Sequence, residues 1–184
     1  MRRLMLLRHA RTENDAPSGK DQDRRLDDRG RLDAAEIGGW IARHPPFPDL
    51  VLVSPAVRSH QTWDILWELA RDVMKGNVPP PKVEFPPELY GADPSALLQI
   101  IHAAATADPQ RLLLVGHNPG LHELAFALTG SGNAAARRAL ADNLPTSGLA
   151  VIDFDIEDWD DVSFRAGRIE LFVSPKLLKE SSGG

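Results

Sequence analysis

The sequence contains no cysteine, which excludes disulfides, thiolate catalysis and cysteine-based metal sites and agrees with a reducing compartment. It has no apolar run approaching the roughly 20 residues that span a bilayer. The hydrophobic stretch behind the two N-terminal arginines is too short for a signal-peptide core. A soluble, cytoplasmic protein without membrane contact is expected. An excess of basic residues is also lacking: 21 Lys and Arg stand against 26 Asp and Glu, a formal charge of −5. That balance argues against a general nucleic-acid partner while leaving room for a local cationic pocket. There is no internal repeat and no linker-like stretch. The 184 residues, 42% of them apolar, are expected to form one domain over residues 1–178, followed by a flexible polar tail over 179–184.

What is present is an alternation of short apolar runs and helical periods. Leu4 to Leu7, Leu50 to Val53 and Leu112 to Val115 are unbroken apolar runs of strand length, as expected for strands buried on both faces. A further short strand is expected near Val83 to Phe85, and an antiparallel pair at Leu149 to Phe154 and Arg168 to Val173. Leu26, Gly30, Ala34, Ile37 and Ile41 recur at spacings of three and four, giving a first helix that starts at Asp27 or Asp28 and stops at Pro45-Pro46. Ser54-Pro55 reads as the N-cap and first position of a second helix, ended by Gly76-Asn77. Further helices are expected around Leu97 to Ala104, Leu121 to Leu128 and Ala134 to Ala141. Strand and helix alternate through the first two-thirds, which predicts a three-layer α/β/α sandwich with a mostly parallel central sheet. Thr12 to Asp28 has no hydrophobic period, and so long a loop in a compact domain points to function.

Three of the strands end in residues that a buried strand does not need. The first runs into Arg8-His9, the second through Ser54-Pro55 to Arg58, and the fourth into Gly116-His117-Asn118-Pro119. In a parallel sheet these ends share one edge, where crevices in open α/β sheets lie. Two arginines, two histidines and the amides opening the helix after His117 would suit a phosphoryl group there. A neutral histidine nitrogen can attack phosphorus, and fixed cations can carry the charge of the transferring group without a metal. The remaining histidines, His44, His60, His102 and His122, have duller explanations, and no pair has a third zinc ligand. Trp40, Trp63 and Trp67 read as core or interface. Glu157 to Asp161 reads as a solvated acidic loop.

Taken together these stretches resemble the histidine phosphatase superfamily, which has the phosphoglycerate-mutase-like fold. Leu7-Arg8-His9-Ala10 is similar to its Arg-His-Gly signature. Ser54-Pro55-Ala56-Val57-Arg58-Ser59-His60-Gln61-Thr62 is similar to its second motif, and Val115-Gly116-His117-Asn118-Pro119-Gly120 to the motif of its second histidine. Asp23 to Gly30, Leu89-Tyr90, Leu144-Pro145-Thr146 and Trp159…Phe172-Val173-Ser174-Pro175 further resemble the SixA-like branch of phosphohistidine phosphatases.

The resemblance implies that His9 is the nucleophile and that Arg8, Arg58 and His117 bind the phosphoryl oxygens. It also implies contacts from Gly116, Asn118, Thr12 and Asn14 to phosphate or substrate, and no cofactor. Two departures stand out: Ala10 occupies the usual glycine position, and the general acid falls by position on Glu88. Phosphohistidine tolerates weak acid assistance better than an ester does, because imidazole is the better leaving group. The expected activity is therefore metal-independent hydrolysis through a phosphohistidine enzyme intermediate. Its substrate would be phosphohistidine on a partner protein, such as a phosphotransfer domain or phosphocarrier. The rivals are a phosphomonoesterase acting on a small phosphorylated molecule and a phosphate-binding scaffold without turnover.

Overall fold

Apolar runs without polar alternation require a sheet covered on both faces, and the computed structural model, which describes residues 1–182, has that arrangement. The strands are β1 (Arg2–Arg8), β2 (Leu50–Val53), β3 (Lys82–Glu84), β4 (Arg111–Gly116), β5 (Thr129–Gly132), β6 (Leu149–Phe154) and β7 (Gly167–Val173). The helices are α1 (Asp28–Arg43), α2 (Val57–Met74), α3 (Pro94–Ala103), α4 (Gly120–Leu128), α5 (Ala134–Asp142) and α6 (Pro175–Ser182). One sheet holds all seven strands in the order β3-β2-β4-β1-β6-β7-β5. β3, β2, β4 and β1 run parallel. β6 is antiparallel to both β1 and β7.

Because side chains alternate along a strand, each apolar run feeds two cores. Leu4, Leu6, Leu50, Leu52, Leu112 and Leu114 pack with α3, α4 and α5 on one face. Met5, Leu7, Val51, Val53, Leu113 and Val115 pack with Ile37 and Ile41 of α1 and Trp63, Leu66 and Ala70 of α2 on the other. Full burial of each such side chain contributes roughly 1.5–3 kcal/mol, so neither face can be left to solvent. The layers are those of an α/β/α sandwich with a mostly parallel sheet.

The differences from expectation have local causes. β1 starts at Arg2, one terminal nitrogen of which donates to Asp108 and to the carbonyl of Glu157, while Arg3 forks onto Asp153. β5 is a Thr-Gly-Ser-Gly segment with no apolar signal, added in parallel beside β7 at the edge. Trp159, expected in a solvated acidic loop, is fully buried and donates its indole N–H to the carbonyl of Pro109 at 2.6 Å. Ser54 is not the N-cap of α2, which begins three residues later behind Ala56. The expected tail enters α6, which runs to Ser182; Gly183 and Gly184 lie outside the described residues.

Helices α1 and α2 approach closely where Gly38 faces the backbone of α2: a β-carbon there would lie 2.5 Å from the carbonyl oxygen of Leu66. Gly38→Ala would gain about 1 kcal/mol of helix propensity. The clash with rigid backbone outweighs it, and a net loss of about 1–3 kcal/mol in urea unfolding is expected.

Candidate active site

β1, β2 and β4 are adjacent and parallel, so the residues that follow them meet at one edge. His9 follows β1. It is 7% exposed, its backbone N–H donates to the carbonyl of Gly116 at 3.1 Å, and its ring faces that of His117 with centroids 5.3 Å apart. His9 Nδ1 lies 2.8 Å from the carbonyl oxygen of Ala10. A carbonyl only accepts, so Nδ1 carries the proton and Nε2 presents a bare lone pair. Burial above all, with His117, Arg58 and Arg8 adding to it, pushes the His9 pKa down to about 3 against the opposing pull of the Ala10 carbonyl. The ring is therefore neutral at physiological pH.

His117, after β4, places Nε2 2.6 Å from Ser54 Oγ. Its pKa is pushed down to about 4, by burial first and then by Arg58, with Asp21 opposing. Arg58 stands on the first turn of α2, 5% exposed. One terminal nitrogen donates to the carbonyl of Asp21 at 2.8 Å and the other to its carboxylate at 3.0 Å. Arg8 donates to the carbonyl of Leu144 at 3.3 Å. Burial lowers its pKa from the usual arginine value, with Arg58 adding to the effect. Three buried nitrogen atoms in this group have no partner among the described residues: Arg8 Nε, Arg58 Nε and His117 Nδ1.

The loop behind His9 is held from three sides. Thr62 Oγ1 accepts the N–H of Ala10 at 3.0 Å and donates to the carbonyl of Arg58 at 2.7 Å. Gln61 accepts the N–H of Leu26 at 2.9 Å. Asp27 caps α1 through the N–H of Gly30, where a β-carbon would sit 2.0 Å from the carbonyl oxygen of Arg11. On the other side Ser147, at φ 59°, donates its N–H to the carbonyls of Arg8 and His9. Gln61 and Thr62 thus have a mechanical role in the second motif.

The other expected site residues divide. Gly116 serves through its carbonyl on His9. Asn118 commits its side chain to the scaffold: Nδ2 donates to Leu144 at 2.8 Å and Oδ1 accepts the N–H of His122 at 3.2 Å. The N–H of Leu121 is likewise taken, by the carbonyl of His117, so two of the amides expected to face phosphate are engaged elsewhere. Thr12 accepts from Arg24 at 2.8 Å. Asn14 is exposed and lines a cavity of about 310 Å³ shared with Asp21 and Arg24. Glu88 is exposed on the 3-10 turn Pro87–Leu89 and makes no hydrogen bond or ion pair among the described residues. Of the remaining histidines, His44, His102 and His122 are spent on backbone carbonyls, and His60 stacks on Phe85.

Sequence reasoning missed three residues. Asp21 comes from the long loop to Arg58, and its carboxylate also takes the Tyr90 hydroxyl at 2.6 Å and Arg24 at 3.0 Å. Tyr90 stands edge-on to His117, with ring centroids 5.6 Å apart. Ser54 holds His117. Nothing local in the sequence marks Ser54: Val53 pairs with Val115, and it is this register that brings Ser54 beside Gly116-His117.

Comparison with known proteins points to the family that the sequence motifs resemble. A family model described as the histidine phosphatase superfamily, branch 1, matches residues 4–75. An uncharacterised protein of Mycobacterium leprae is 32% identical over 158 residues, covering 85% of this chain and 89% of that one. The crystal structure of a candidate phosphohistidine phosphatase SixA from Agrobacterium tumefaciens superposes with a TM-score of 0.74 at 30% identity, covering 95% and 99% of the two chains. Another candidate SixA, from Nakamurella, gives 0.77 at 26% identity over 95% and 96%.

The two depressed histidines have a consequence for stability. Unfolded, each takes up a proton near pH 6.5; folded, each refuses it until about pH 3 for His9 and about pH 4 for His117. Their contribution is thus complete above pH 6.5 and is lost as the pH falls below it, at roughly 1 kcal/mol per pH unit for each histidine. Urea unfolding between pH 6.5 and 5, above the carboxylate range, is expected to show this slope. The His9→Asn, His117→Asn double variant is expected to lose most of it.

Proposed function

The chain belongs to the histidine phosphatase superfamily, in its SixA-like branch, and from that premise we propose that it hydrolyses phosphohistidine on a partner protein through a phosphohistidine of its own at His9. The observation that carries the reading is the set of buried, unpartnered donors, Arg8 Nε, Arg58 Nε and His117 Nδ1, beside an imidazole with a bare Nε2. Each unmade hydrogen bond in a buried position costs about 1–3 kcal/mol, and one tetrahedral oxyanion satisfies several at once.

In this reaction His9 Nε2 attacks phosphorus while Arg8, Arg58 and His117 hold the oxygens. The transferring group is stabilised by fixed cations rather than by a metal ion. Ser54 Oγ accepts the N–H of Ala56 at 3.3 Å and so has its own hydrogen to give to His117 Nε2. In that tautomer His117 Nδ1–H points its donor at a phosphoryl oxygen. Water then hydrolyses the phosphorylated His9. Gly116 and Asn118 act here as scaffold, and Thr12 and Asn14 belong to the rim that meets the partner. Glu88, exposed and without a hydrogen bond or ion pair among the described residues, has no contact that aims it at the cradle, and an ester leaving group needs the proton that phosphohistidine does not.

Replacement of His9 by Ala is expected to lower turnover of a phosphohistidine peptide by more than about a thousandfold. Arg58→Ala is expected to cost about a hundredfold to a thousandfold. Wild-type protein should acquire an acid-labile, alkali-stable ³²P label and keep its rate in the presence of a chelator. Retained activity in the His9 variant or inhibition by the chelator would overturn the mechanism. A preference for sugar phosphates over phosphohistidine peptides would move the activity to small-molecule esters, and binding without label or turnover would make the protein a scaffold.

A further inference from the structure

The most heavily bonded carboxylate at the site is Asp21, and none of the roles above uses it. It lies in the 3-10 turn Asp21–Asp23 of the long loop. Arg58, Arg24 and Tyr90 all donate to it, at 3.0, 3.0 and 2.6 Å. Its side chain is nevertheless 54% exposed; on one side it lines a cavity of about 310 Å³ with Asn14, Lys20 and Arg24, and on the other it is tied to the cradle through Arg58. It does not block Arg58. A guanidinium has five N–H donors, and Asp21 takes one from each terminal nitrogen, which leaves three, including the buried Nε–H. Arg58 can therefore grip Asp21 with one edge and a phosphoryl group with another, fixing the carboxylate next to the group being transferred.

A carboxylate with three donors on it is a poor acid, and Asp21 is indeed held well below the usual carboxylate range, with Tyr90 the largest cause. It is a good acceptor, with one of its roughly four acceptor sites left, on the oxygen that takes Arg24 alone. We infer that Asp21 selects phosphohistidine by accepting the N–H of the substrate imidazole at the ring nitrogen remote from phosphorus.

The step balances without a proton donor. The substrate ring arrives protonated at its remote nitrogen. The bond from His9 Nε2 to phosphorus forms, the nitrogen–phosphorus bond breaks, and its electron pair stays on the ring, which leaves as neutral imidazole still carrying the remote N–H. An ester oxygen has no such remote proton and gains nothing from Asp21. The protein builds the same device for its own phosphohistidine: when water displaces His9, the remote nitrogen Nδ1 keeps its proton on the carbonyl of Ala10.

This inference rests on the phosphohistidine reading and adds to it a residue that discriminates between substrates. The test compares kcat/KM on phosphoimidazole and on p-nitrophenyl phosphate for wild type, Asp21→Asn and Asp21→Glu. Asp21→Asn is expected to lower the ratio of the two by about tenfold, the worth of a hydrogen bond to a charged group, and Asp21→Glu to restore part of it. Equal losses on both substrates in both variants would make Asp21 a holder of Arg58 and overturn its role in selection alone. Wild-type hydrolysis of the ester without hydrolysis of phosphoimidazole would overturn this role and the phosphohistidine reading together. Asp21→Glu keeps the charge, so the comparison stands even if the neutral variant folds poorly.

Discussion

The hydrogen bond from His9 Nδ1 to the carbonyl of Ala10 is the contact on which the rest of the site depends. It fixes the tautomer, and with it leaves Nε2 bare as the nucleophile proposed for this site. A bond between a side chain and the next peptide is only as fixed as that peptide, so the peptide has to be clamped. Thr62 holds the N–H of Ala10. Ser147 holds the carbonyls of Arg8 and His9, and the first turn of α1 packs so tightly on Arg11 that Gly30 has no room for a side chain. Helices on one face of the sheet and a loop from beyond β5 thus converge on a single carbonyl. Ala10 itself has a negative φ, so a residue with a side chain is accommodated where glycine is usual in the family.

The second constraint is charge. Arg8, Arg58, His9 and His117 lie together, with His9 and Arg58 buried and Arg8 and His117 half-buried. Were all four charged, repulsion would be severe, and the protein resolves this by keeping both histidines neutral. The arginines cannot lose their protons in the same way. Arg58 is balanced by Asp21 from outside, whereas Arg8 has only the carbonyl of Leu144. The nitrogens left without a protein partner, Arg8 Nε, Arg58 Nε and His117 Nδ1, are the groups that the proposed phosphoryl oxygens would meet.

Much of this was legible in the sequence because it rests on continuity of type. An apolar run that ends abruptly in Arg-His is visible without a structure, and three such ends on parallel strands must meet. The two faces of the sheet follow from the same runs by alternation. What escaped was whatever depends on register or on loop path. Asp21 is one of five aspartates between residues 15 and 28, and nothing local sets it apart until the loop folds onto α2. Ser54-Pro55 carries the pattern of a helix cap, but the helix begins later and the hydroxyl is released to hold His117. Trp159 sits among acids that suggest solvent, and only the fold shows that its ring fills the space beneath them. β5 has no apolar residue to announce it.

The two acceptors proposed for the two imidazoles differ in charge, and the difference is physically required. His9 must be neutral before it attacks, because a protonated Nε2 has no lone pair. An anion beside Nδ1 would favour the charged ring and raise its pKa, working against the burial that keeps it low. A carbonyl holds the proton in place and pulls the pKa upward too, but not enough to overcome burial. The substrate ring has the opposite need: it must be cationic before its bond to phosphorus breaks, and an anion at its remote nitrogen favours that state. A neutral acceptor inside and an anionic one at the rim therefore push two chemically identical rings toward opposite protonation states, which drives the phosphoryl group inward from one to the other. The same arrangement explains why a carboxyl group poised to donate is not built into this site. The proton that matters never has to move to the atom that leaves.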